Sequence, residues 1–163
     1  MLDQISNQIG QVRPEFLVFI ISMLPITELR LALPLALTTY HIPLWQALPI
    51  TILGNWLPSI FFVYFLGWIA KFLSVRSKFM ANFFTSLFEK THIKHSKKFE
   101  LWGALALITF VAIPLPMTGA WTGALVSFVF EIDKKKAIWY LLAGICIASI
   151  IVGALTLGIK MII

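Results

Sequence analysis

No Asp, Glu, Lys or Arg occurs in residues 31–70, 101–130 or 137–159. Each gap is longer than the roughly 20 apolar residues with which an α-helix crosses about 30 Å of hydrocarbon. With 60% of residues apolar, 12% charged and a mean hydropathy of +0.92, the expectation is an all-α integral membrane protein. It is read as a single membrane domain over residues 1–163. Asp3, Arg13 and Glu15 precede the first apolar run, and no small-residue cleavage site follows it, so a signal peptide is not expected. Cys146 is the one cysteine, which excludes an intrachain disulfide and suits packing in an apolar run.

The net charge of +6 does not point to nucleic acid, because the bases flank the apolar blocks. Lys71, Arg76, Lys78, Lys90, Lys94, Lys97 and Lys98 lie between two blocks, and Lys134, Lys135 and Lys136 between the next two. The positive-inside rule places both basic segments in the cytoplasm. The chain is then a multi-pass protein of the cytoplasmic membrane with both termini outside. Block 101–130 must enter and leave the membrane on the same side, since a single crossing would put Lys134–Lys136 outside.

The middle of that block supplies the means. In "ITFVAIPLPMTGAWTG" (108–123), Pro114, Pro116, Gly119 and Gly123 are turn chemistry. The expected form is a re-entrant hairpin: one arm over 101–113, a turn over 114–118 and a return over 119–130. An arm of a dozen residues rises only about 18 Å, enough to reach mid-bilayer and come back. "FLVFIISMLPITELRLALPLALTTY" (16–40) repeats the pattern around Pro25 and Pro34. A shift of 91, from 25 to 116, lays "PITELRLAL" on "PMTGAWTGA", proline on proline and Thr27 on Thr118. The implied fold is an inverted repeat of hairpin plus transmembrane helix, with repeat 1 over about 14–73 and repeat 2 over about 101–163. Inverted repeats with broken helices meeting near the midplane are a transporter architecture. The basic linker, about 74–100, places Phe79, Met80, Phe83, Phe84, Leu87 and Phe88 at helical spacing, as an interfacial amphipathic helix on the cytoplasmic leaflet would. His92 and His95 lack a carboxylate or thiol to complete a metal set, so no metal is expected.

Each hairpin turn offers candidate binding residues. Thr27 and Thr118 precede apolar runs and suit helix N-caps, so two return helices would begin near the membrane centre with N-termini that favour an anion. Arg30 falls in the first such turn and can grip two phosphate oxygens at once. Glu28 is the acid of that block, and beside Arg30 it invites proton exchange during transport. Trp121 and Thr122 belong to the second tip, with Trp121 packing or lining a cavity. Gly119 and Gly123 are spaced for close helix approach. Asn55, inside an uncharged run, needs a hydrogen-bond partner. No nucleophile, base and orienting group share a segment, so neither an enzyme nor a cofactor is expected. Two functions compete: translocation of an anionic lipid, and proton-coupled export of small cationic drugs through Glu28.

"FVAIPLPMTGAWTGAL" (110–125), with a short charged loop and a final apolar helix after it, resembles the signature of the small multidrug export proteins. "PITELRLALPLAL" (25–37) is similar to their N-terminal motif, and the likeness covers nearly the whole chain. That family in turn looks like a compact relative of the DedA (SNARE-associated, VTT-domain) proteins. The resemblance implies paired re-entrant hairpins and movement of lipids such as undecaprenyl phosphate. The second hairpin departs from the DedA pattern, reading Gly119, Ala120 and Trp121 where those proteins carry arginines. A homodimer is expected as cover for the broken backbone.

Overall fold

A computed structural model describes residues 13–76, 97–115 and 118–162. The described helices are α1 (Pro14–Met23), α2 (Glu28–Thr38), α3 (Leu44–Arg76), α4 (Lys97–Ala112), α5 (Ala120–Val129) and α6 (Lys134–Ile162), and no strand occurs among those residues. The linker helix expected over 79–88 and the residues Pro116 and Met117 lie outside the described residues.

Helix ends follow local chemistry. α1 opens with Pro14 at its first position and Glu15 in its first turn, where a missing N–H is harmless and a negative charge meets the helix dipole. It stops at Met23 because Leu24, which precedes Pro25, is driven to extended backbone (ψ 139°). α4 stops just before Pro114. α2 and α5 are each followed, within three residues, by a left-handed residue that is not glycine, His41 (φ 51°) and Glu131 (φ 51°). In each case the next N–H turns back onto the helix, Ile42 to the Ala36 carbonyl at 2.8 Å and Ile132 to that of Ser127 at 2.9 Å. The long helices α3 and α6 start a few residues later. The element order short helix, turn, short helix, tight turn, long helix thus occurs twice, in step with the 91-residue shift.

α1 and α5 have 10 residues each and α2 has 11, about 15 Å of rise, too short to span hydrocarbon. Within α3 and α6, residues 44–69 and 134–159 are long and apolar enough to cross a membrane. Leu29, Ala32, Leu33, Ala36 and Leu37 form the buried stripe of α2. Pro34 sits beside that stripe, inside the helix, so it marks no turn; burial on both sides holds the helix despite one lost hydrogen bond.

The chain divides into two compact units. Unit 1 comprises residues 1–55 and 149–163, and unit 2 comprises residues 56–148. In unit 1, α1 packs on α2, α1 meets α3 at Ser22 and Gly54, and Gly153 of α6 stands in ordinary contact range of Leu33 and Leu44. In unit 2, α4 packs on α5, while Gly144 of α6 faces Val111 and the Ile108 carbonyl of α4. Trp56 Nε1 of α3 donates to the Ile138 carbonyl of α6 at 3.1 Å, and Gly67 lies beside Lys134 Nζ. These contacts fix an antiparallel course for the two long helices in that unit.

The interior holds polar side chains beside the apolar ones, and the exterior is strongly apolar. Ser22, Glu28, Thr51, Asn55, Ser59, Ser127 and Ser149 are buried, while Phe16, Ile26, Phe61, Trp68, Trp139 and Ile150 are exposed. Water would penalise both halves of that distribution, whereas lipid solvates the apolar exterior without cost.

Candidate functional site

The first tip is the Leu24–Glu28 turn between α1 and α2. Glu28 N–H closes it by donating to the Leu24 carbonyl at 2.9 Å. Glu28 sits at φ 46°, a left-handed conformation that costs an L-residue about 1–2 kcal/mol and is usually retained where the surroundings require it. Its side chain is 6% exposed, with Arg30 half-buried near enough for the carboxylate's charge to act on the guanidinium. Glu28 begins α2 from outside helical backbone, so the two-residue spacing does not force the side chains onto opposite faces. Pro25 is exposed in the same turn, and Ile26 is 94% exposed.

Thr27 occupies the N-cap position of α2 but makes no side-chain cap bond. Its hydroxyl donates back across the turn to the Ile21 carbonyl of α1. Thr118 does the same in the second tip, donating to the Ile113 carbonyl at 2.8 Å and the Leu115 carbonyl at 2.9 Å. Gly119, not Thr118, is the N-cap of α5. Neither threonine caps with its side chain: each hydroxyl goes to a carbonyl of the preceding arm or turn instead of accepting from an N–H of the next helix. Each threonine is a cross-tie for its hairpin. Thr27→Val should loosen unit 1 by about 1 kcal/mol, the usual worth of one hydrogen bond, read as a lower thermal midpoint in detergent; no change would mean the tie contributes nothing.

In the second tip, Thr122 Oγ1 accepts from Gly119 N–H at 2.8 Å, fastening the entry of α5. Trp121 packs on α3, its ring 4.7 Å from that of Phe62. Pro114 lies in the turn, and Pro116 is outside the described residues. Gly123 lies inside α5 and does not form the turn. A Cβ there would come within 2.6 Å of Val111 and 2.7 Å of Leu141, so Gly123 admits neighbouring side chains. Asn55 is 3% exposed, and no hairpin turn satisfies it as expected: its Oδ1 has no partner. Sequence reasoning missed the close approaches at Gly54 and Gly144, which depend on helices far apart in the chain. Among the described residues, no group of His, Cys, Asp and Glu could hold a metal.

Two helices long and apolar enough to cross a membrane, with paired shorter apolar helices beside them, fit a helical membrane protein. The family model described as "Putative small multi-drug export protein" matches residues 28–151, and the chain belongs to that family. It is a membrane protein of an export family. No curated protein and no solved structure matches the chain.

Proposed function

We propose that the chain is a transporter in which the start of α2 binds the anionic group of a lipid substrate such as a polyprenyl phosphate. Arg30 supplies the two-pronged contact. Glu28 competes with the substrate for the same guanidinium, so a proton on Glu28 favours the loaded state. The diverted Thr27 hydroxyl carries this reading: the N-cap of α2 places no side-chain oxygen over its first turn, where the helix dipole favours an anion. The exposed Ile26 and Leu24 beside it suit a lipid-facing approach.

A second reading, proton-coupled export of small cationic drugs, is favoured by the family's description, by the burial of Glu28 and by the unpartnered acceptor on Asn55. Purified protein in liposomes separates the two. Labelled polyprenyl phosphate should redistribute between leaflets while a cationic dye does not, and dye movement alone would replace the first reading with the second.

In the membrane, both short-helix pairs re-enter from the side they left, and the second copy has reversed topology. The antiparallel course of α3 and α6 in unit 2 supports this, because those helices close the two copies. The basic segments face the cytoplasm and both termini lie outside. Cysteines placed singly at positions 94 and 134 in a Cys146→Ser background should both react from the cytoplasmic side. Labelling from opposite sides would rule out the re-entrant second hairpin.

A further inference from the structure

Unit 2 holds a cavity of about 510 Å³ lined by Val63 and Tyr64 of α3, Ser127 and Phe128 of α5, and the segment from Glu131 to Lys135. None of these residues belongs to either hairpin tip. The apolar span of α6 begins at Lys134 and that of α3 ends at Ile69, so the cavity sits where hydrocarbon gives way to headgroups. Exposed Trp68, one turn beyond Tyr64 on α3, marks the same level, as aromatic residues do at membrane interfaces.

The charges in the cavity constrain its occupant. Lys134 Nζ is 5.5 Å from the centroid of the Tyr64 ring and close to Gly67, which folds it back along α3 toward the cavity. Lys135, Glu131 and Asp133 line the cavity as well. Asp133 Oδ1 already accepts from the N–H groups of Lys135 and Lys136 at 3.1 and 3.2 Å. The helix start is therefore capped, and an anion must be held by lysine side chains. A lone anion would meet both carboxylates, and a lone cation both lysines. A ligand with one charge of each sign, joined by a short linker, suits all four. The volume is within the roughly 300–1,000 Å³ of small-molecule pockets, too large for a single ion.

We propose that this cavity binds the headgroup of a zwitterionic phospholipid bearing a primary amine, its phosphodiester against Lys134 and Lys135 and its ammonium against Glu131 and Asp133. A primary ammonium donates hydrogen bonds to carboxylates; a quaternary one cannot. The Tyr64 face that would hold a quaternary group is taken by Lys134.

The full chain is placed in nanodiscs with equal phosphatidylethanolamine, phosphatidylglycerol and phosphatidylcholine, and retained lipid is counted by native mass spectrometry. Phosphatidylethanolamine should be retained about tenfold over each of the others, as one discriminating charge-assisted contact gives. The Glu131→Gln/Asp133→Asn variant keeps an N-cap acceptor and should shift preference to phosphatidylglycerol. Lys134→Gln/Lys135→Gln should lose the enrichment. Retention in the proportions supplied, or an unchanged preference in both double variants, would overturn the proposal. So would displacement of the lipid by an equal concentration of glycerophosphoethanolamine, which would make the ligand a soluble one.

Discussion

Replacing Gly54 by valine should unfold unit 1. A Cβ at Gly54 overlaps Ser22 Oγ outright and stands 2.7 Å from the Phe19 carbonyl oxygen, and valine adds two methyls to that collision. The serine could rotate away only by giving up its 2.7 Å bond to the same carbonyl. The carbonyl belongs to the α1 backbone and can move only if the helix does. Overpacking of this kind costs about 1–3 kcal/mol and sometimes more, and here the obstacle is main chain, so the loss should reach the top of that range. Thermal unfolding in detergent, followed by circular dichroism, reads it. Adding Ser22→Gly should recover only the side-chain share. Full recovery would show that α1 is free to shift, and an unchanged midpoint in Gly54→Val would refute the close approach.

The second large effect is on function. Arg30→Ala should abolish binding of an anionic lipid, and Arg30→Lys should restore little, since a point charge does not reproduce a planar two-pronged contact. A charge-assisted hydrogen bond is worth about 1.5–3 kcal/mol, so removing one weakens affinity roughly 10- to 150-fold. Glu28→Gln should act in the opposite direction. It keeps size and hydrogen bonding but removes the competitor for the guanidinium, so anion binding should persist or tighten and any pH dependence should vanish. If a cationic drug is carried, Glu28→Gln loses binding and Arg30→Ala is tolerated. Equilibrium binding of both ligand classes at two pH values separates these patterns. Parent-like behaviour in all three variants would remove the first tip as the site.

Where the helices break was legible because proline and glycine act locally: the arm expected over 101–113 ends at Ala112, and the return expected from 119 starts at Ala120. The pairing of Thr27 with Thr118 by the 91-residue shift also reflected a shared role, although the role is a cross-tie and not a cap. Which group a threonine hydroxyl chooses depends on competition between nearby carbonyls and N–H groups, and a residue pattern does not rank those. Pro34 misled because a proline in an apolar run suggests a break, while burial of Leu33 and Ala36 holds α2 together. The cavity of unit 2 was invisible because it needs Tyr64 and Lys134 together, and nothing local to either position announces the other.

The division of the chain also sets an order of events. In unit 1, α1 and α2 are made before α6, yet residues 149–163 belong to the same unit, with Gly153 lying against Leu33 and Leu44. The buried Glu28 is therefore made in an incomplete setting and waits for residues 149–163 before its unit can close. During that interval the hairpin depends on lipid, the insertion machinery or its own Thr27 tie. A chain stopped before residue 149 should reach the membrane with α1 and α2 paired but open to quality-control proteases, so that damage in α6 is felt at Glu28.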